Sequence, residues 1–152
     1  MERKTARPFW ISALIWTVAV LGCSSLASAE TRYFRVCRGP DPSGCGSPND
    51  FIIALSKPKQ IQMAMQILGG KVVDQVHVQG MIVAKPAAYN TPWKFHLAPK
   101  TISFFTFSHP ICWGFSTKDI GDHLDKLGTP DFLPTKQWCP RGYRLSQQVH
   151  PS

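Results

Sequence analysis

Few side chains in this 152-residue chain are of a type that moves a proton, holds a metal or attacks a carbonyl. His96, between Phe95 and Leu97, has the chemistry of a general base or a metal ligand. Flanked by apolar residues, it reads instead as a structural ring, hydrogen-bonded to a neighbouring backbone group. His77, His109 and His123 add ligand types, yet no two stand at a spacing such as i, i+4 on one helix. No metal site and no cofactor are therefore expected. Cys112, with His109 or His96 near it, has the ingredients of a thiol nucleophile, but the cysteine count assigns it to a disulfide. There is no G-x-S-x-G elbow for a serine nucleophile. Asp119, Asp122 and Asp125 fall along one line of a helix and read as a solvated face paired with Lys118 or Lys126. Glycoside hydrolysis needs two carboxylates across a cleft, and nothing in the sequence requires that. No catalytic residue is expected.

Binding chemistry is better represented. Trp93, Lys94, Phe95 and Lys100, with His96 among them, make an aromatic-basic stretch that suits a sugar polymer or a protein through stacking plus charge. A second candidate is the segment between Cys37 and Cys45, which carries Arg38 and Gly39. Closed by a disulfide it would be preorganised, as protease-inhibitor loops are. These features suggest a non-catalytic binding module, with a secreted protease inhibitor as the alternative and a small secreted hydrolase third.

Compartment follows from the first residues. Arg3, Lys4 and Arg7 precede an apolar run over 9–21, and Ala27-Ser28-Ala29 forms a small-x-small cleavage site before Glu30. Residues 1–29 read as a signal peptide, and the run is short for a membrane span. Val20-Leu21-Gly22-Cys23 resembles a lipoprotein box, so membrane attachment is expected only if Cys23 is lipidated. The protein is expected to be secreted or periplasmic. Cleavage leaves 123 residues, enough for one domain, with fourteen Lys/Arg against eight Asp/Glu. The net +6 is spread along the chain; it favours solubility and attraction to acidic partners. The expected partner is a protein or an anionic polymer, not a nucleic acid, and the expected state is a monomer.

Export also explains the cysteines. Processing removes Cys23 and leaves Cys37, Cys45, Cys112 and Cys139, which read as two disulfides with three possible connectivities. The pairing Cys37–Cys45 with Cys112–Cys139 is preferred because each bridge stays within one half of the chain. Chain entropy assigns those loops roughly 2.6 and 3.6 kcal/mol.

The elements that must position these groups come from periodicity. Residues 31–38 alternate basic and apolar types, 39–44 are rich in turn residues, and 51–55 form a short apolar strand. Ser56 is placed to cap a helix with Pro58 in its first turn. Ile61, Ala64, Met65 and Leu68 form its stripe, and Gly69-Gly70 ends it. A long strand is expected over 72–84, with Val76, Val78, Ile82 and Ala84 on one face. Gly80 on that face marks a bulge or a bulky neighbour. Period two over 93–97 and 101–107 predicts two more strands. Ser116 and Asp119 have capping-box spacing before a helix carrying Ile120, Leu124 and Leu127. The segment 130–145 reads as irregular, with Phe132, Leu133 and Trp138 as core plugs. The expected fold is α+β: a mostly antiparallel sheet with two helices packed on it and two disulfides. Its organisation is an extended, Cys-closed segment at 30–50, a single domain at 51–146 and a tail at 147–152.

Three stretches, FIIALSKPKQIQMAMQILGG, VHVQGMIVAKPAAYNTPWKFHLAPKTISFF and HLDKLGTPDFLPTKQWCPRGYRL, carry a further signal. Together they resemble a family of small secreted domains named for the N-terminal domain of a slime-mould, cyclic-AMP-inducible calmodulin-binding protein. The resemblance spans about 51–145. It implies an exported, non-catalytic module and no catalytic set. Calmodulin binding belongs to one branch, and an exported chain does not meet cytosolic calmodulin. The sequence departs from the family around Cys112, where His109-Pro110-Ile111 and Trp113-Gly114-Phe115 replace a more acidic surround.

Intact mass of exported protein tests the processing and the bridges together. The expected species begins at Glu30 and gains about four hydrogens on reduction, as two disulfides require. A lipid-sized increment with Cys23 at the terminus, or no gain on reduction, contradicts this.

Overall fold

A computed structural model describes residues 30–39, 45–46, 50–106, 114–140 and 142–151. The architecture is α+β, built from two antiparallel sheets rather than the single sheet expected.

The first sheet is centred on β1 (Arg32–Arg38), which buries Phe34, Val36 and Cys37. On one side lies β2 (Phe51–Leu55), in antiparallel register from Arg32↔Leu55 to Val36↔Phe51. A connection between 38 and 51 returns the chain, and the Cys37–Cys45 disulfide spans it with Cα atoms 5.7 Å apart. The helix α1 (Pro58–Leu68) follows. Pro58 stands at its start, where a missing N–H costs nothing. Lys57 is the cap residue and makes no side-chain cap bond, so the capping role expected of Ser56 is not realised. Its buried face also differs from the predicted stripe. Ala64 and Ile67 are buried while Met65 is 43% exposed. Gln60 lies toward this inward side, where its amide donates to the Ile102 carbonyl. Gly70, at φ +69°, ends the helix in the left-handed region that glycine reaches without penalty.

The second sheet is organised on β3 (His77–Val83), shorter than the 72–84 strand expected. Its even-numbered residues Val78, Gly80 and Ile82 face the core. A Cβ at Gly80 would lie 3.2 Å from Ile102 and 3.3 Å from Leu97, so the glycine marks a close approach rather than a bulge. The strands expected over 93–97 and 101–107 shrink to β4 (His96–Leu97) and β5 (Ser103–Phe105). A 3₁₀ turn, Pro99–Thr101, separates them and partly completes the ladder. Ala98 N–H donates to the Met81 carbonyl, and Met81 N–H donates to Thr101 Oγ1, both at 2.9 Å. The helix α2 (Thr117–Asp122) opens on a full capping box between Ser116 and Asp119, as the spacing predicts.

The segment 130–145 is more regular than expected. β6 (Gln137–Trp138) pairs with β3, and Lys136 O accepts from Ile82 N–H at 2.8 Å. β7 (Tyr143–Val149) then pairs with β1 from Tyr33↔Val149 to Arg38↔Tyr143. β7 runs on to Val149, and β1 is the middle strand of its sheet, between β2 and β7. Nothing local announces β7. Ser146, Gln147 and Gln148 interrupt its apolar alternation, and its partner lies far back in the chain: Ser146 Oγ donates to Arg35 O across 111 residues.

Leu145 N–H donates to the Val76 carbonyl at 3.2 Å and joins the two sheets. Between them lies an aromatic core. Phe51 stacks on Phe95 at 5.2 Å, and Trp138 meets both edge-on, at 5.2 and 6.0 Å. Phe132, Leu133 and Trp138 are buried as expected. Among the described residues Cys37–Cys45 is the one disulfide pair seen; Cys112, expected to bridge to the buried Cys139, lies outside them, as do Phe107 and His109. No helix among the described residues is long and apolar enough to cross a membrane.

Asn90 offers a test of how the sheets are joined. It is fully buried; its Oδ1 accepts from Ile52 N–H at 3.1 Å and its Nδ2 donates to Phe95 O at 3.3 Å. Asn90→Ala leaves both backbone groups unpaired, at an expected cost of about 2–4 kcal/mol. For a domain of this size that lowers Tm by roughly 10 °C in calorimetry. An unchanged Tm would deny Asn90 this role.

Candidate functional site

Trp93 is where the residues singled out from sequence meet open space. It follows the short 3₁₀ turn Ala88–Asn90, and its N–H donates to the Asn90 carbonyl at 3.0 Å. Behind the indole stands Phe95, edge-on at 6.0 Å. Beside it lies Gly121 of α2, where a Cβ would reach within 3.7 Å of the six-membered ring. The indole is half-buried. Its Nε1 is buried, with no hydrogen-bond partner among the described residues, so the part it offers to solvent is carbon.

Two clefts meet at this ring. The larger, of about 430 Å³, has Pro92 and Trp93 on one side and Asp50, Thr117 and Tyr143 on the other, with Lys118 at its border. The smaller, of about 230 Å³, runs between Trp93, Lys94, Lys118 and Asp122. Pro92, Trp93 and Lys118 belong to both.

The walls are held by bonds traceable to local sequence. Asp50 Oδ2 accepts from Gly46 N–H at 2.6 Å and lies 3.6 Å from Arg35 Nε. The disulfide-closed loop and β1 together therefore set this carboxylate. Tyr143, on β7, places its hydroxyl 3.4 Å from Thr117 Oγ1. The capping box fixes the start of α2: Asp119 Oδ2 accepts from both Ser116 N–H and Oγ, at 2.8 and 2.7 Å. The Ser116 hydroxyl, and then its N–H, hold the Asp119 carboxyl below the usual range. Lys118 donates to Asp122 one helical turn on, and that bond holds its ammonium charged to higher pH.

Only Trp93 and Lys94 of the expected binding set line these clefts. Lys100 stands on the turn between β4 and β5, where its carbonyl accepts from Lys57 Nζ at 2.7 Å. Arg38 is exposed at the end of β1, and the loop residues beyond Gly39 up to Gly44 lie outside the described residues. His96 donates from Nδ1 to the Lys85 carbonyl at 2.8 Å, the backbone partnership read from its surroundings. His77 and His123 also place Nδ1 2.9 Å from carbonyls, of Tyr143 and Asp119. Among the described residues no three His, Cys, Asp or Glu side chains gather as a metal site. The sequence reading missed Asp50, Thr117, Lys118 and Tyr143 as wall residues. The capping box was a signal for Thr117 and Lys118; Asp50 and Tyr143 had none, since Tyr143 arrives through pairing with β1 and Asp50 through its contact with Arg35.

A second aromatic group lies around His96. Tyr89 meets the His96 ring edge-on at 6.3 Å and packs on Tyr33 at 5.1 Å. Burial, and then the neighbouring Tyr33, push the Tyr89 phenol up to about 12. Above pH 10 the unfolded chain gives up this proton while the folded chain keeps it, so stability is full below 10 and falls as pH rises toward 12. Urea midpoints across that window are expected to drop more steeply for the native chain than for Tyr89→Phe. Parallel curves would remove Tyr89 as a cause.

No curated protein and no solved structure matches the chain. The family described as the BP-74 N-terminal domain, that of the calmodulin-binding protein, matches it over residues 30–152. This is a wider span than the 51–145 that carried the resemblance. From the segment before β1 to the end of β7, this chain belongs to that N-terminal domain family.

Proposed function

We propose that the protein is exported, loses residues 1–29, and acts as a non-catalytic module that binds its partner at the Trp93 clefts. The observation that carries this reading is the half-exposed indole between two clefts, with Lys94 and Lys118 at its borders. A volume of about 430 Å³ lies within the range of small-molecule and polymer subsites. An aromatic face with cations beside it suits stacking plus charge. The three described histidines considered for chemistry each spend a ring nitrogen on a carbonyl, which favours structural roles.

Two facts support export. The family match begins at Glu30, the residue after the expected cleavage site. The Cys37–Cys45 bridge suits an oxidising compartment. The second bridge, Cys112–Cys139, belongs to the same proposal: Cys139 is buried and its sulfur is disulfide-bonded. The partner is a protein or an anionic polymer, and attachment to a membrane would require lipid at Cys23.

Retention on immobilised envelope polymer or on proteins of the native extracellular milieu is the test. The mature chain should be retained saturably, and Trp93→Ala should weaken retention roughly tenfold or more with the fold intact by circular dichroism. Equal retention of the variant would sink the site. Turnover on a hydrolase panel, lost in His96→Ala, would sink the non-catalytic reading.

A further inference from the structure

Resting on that binding reading, we infer that the ligand is an oligosaccharide bearing acidic groups, with one ring stacked on Trp93 and its acid set toward Lys94. The polar edge of the indole is buried, so the exposed surface of Trp93 is flat and apolar. Such a face matches the C–H side of a pyranose ring better than a hydrogen-bonding group.

The walls match the rim of the same ring. In the larger cleft Asp50 supplies a carboxylate, and Thr117 and Tyr143 supply hydroxyls. These groups can accept from and donate to sugar hydroxyls. Asp50 is already anchored through Gly46 and Arg35, so little ordering is left for binding to impose. Because the clefts share Pro92, Trp93 and Lys118, a chain of linked rings can run across the indole from one into the other.

Charge selects the acid. Lys118 is matched by Asp122, whereas Lys94 makes no ion pair among the described residues. The mature chain carries +6. One uncompensated ammonium beside the stacking platform favours a carboxylate or sulfate on the sugar. A nucleic-acid backbone fits less well, since phosphate oxygens offer Asp50 no hydrogen-bond donor, whereas pyranose hydroxyls do. A protein partner fits less well too. The exposed large apolar residues Met65, Val73 and Met81 line neither cleft, so among the described residues no apolar patch extends from Trp93 as interface hot spots require.

The probe is hexameric oligogalacturonate, titrated into ¹⁵N-labelled mature protein, with cellohexaose and single-stranded oligonucleotide in parallel. The readout is the indole N–H resonance of Trp93, assigned by its loss in Trp93→Phe. The Trp138 resonance, from an N–H that donates to Phe115 O at 2.9 Å, serves as internal control. Oligogalacturonate should shift the Trp93 resonance saturably and leave Trp138 in place. Lys94→Ala, an exposed change that leaves the fold intact, should weaken binding about three- to fivefold, as should added salt. Cellohexaose should bind more weakly by a similar factor. An unmoved Trp93 resonance up to millimolar oligogalacturonate would overturn the inference, as would equal affinity for cellohexaose, tighter oligonucleotide binding, or an unaffected Lys94→Ala. If oligogalacturonate fails while a protein is retained in a Trp93-dependent manner, the saccharide is wrong and the binding site stands.

Discussion

The join between the two sheets is the constraint on which the rest depends. Phe51 from β2, Phe95 from the approach to β4 and Trp138 from β6 pack against one another with ring centroids 5.2–6.0 Å apart. Side chains of this size dominate the energetics of a small core, and here they come from three distant parts of the chain. Trp138 satisfies its indole N–H on Phe115 O, so its burial leaves no unpaired donor. Asn90 does the corresponding work for the backbone, closing the β2 edge at Ile52 and the Phe95 carbonyl with one side chain. A polar residue fully buried with both ends satisfied specifies one arrangement of its neighbours.

Trp93 lies at the outer end of this join. Two residues before Phe95, it shares the inward side of the extended segment but reaches past the core to its margin, where α2 and the start of β2 leave space. The ring is thus rigidly backed and still half-exposed. Its carbon face becomes a platform because the fold has turned its polar edge inward. The surrounding walls come from structures made for other reasons: a helix cap, the foot of a disulfide-closed loop and the first residue of β7. The site is a by-product of how elements end, which is where polar side chains meet solvent and open space.

The histidines illustrate why residue type alone is a weak guide to chemistry. His77, His96 and His123 belong to different elements, and each places Nδ1 within 2.9 Å of a carbonyl. For His96 the sequence already pointed that way, since apolar neighbours leave an imidazole little company except backbone. The aspartates divide similarly, with Asp119 spent on a helix cap and Asp122 on Lys118.

Local signals were legible in the chain wherever one element satisfies itself. The β2 run, the proline start and glycine end of α1, the Ser116–Asp119 box and the apolar face of β3 all follow from periodicity and capping chemistry within a few residues. Trp93 and Lys94 were legible as an aromatic next to a cation. Other features depend on a partner remote in sequence. β7 hides behind three polar residues and is made a strand by the open edge of β1; the inward side of α1 carries a bond from Gln60 to Ile102; Tyr143 reaches the cleft through its pairing with β1, and Asp50 is held there by Gly46 N–H and Arg35. Composition and spacing therefore determined the α+β class and one half of the candidate site, and the resemblance of three stretches carried the family. Tertiary structure decided the two-sheet division and the other wall, because hydrogen bonds between distant strands are matched edge to edge in space and leave no period in the sequence.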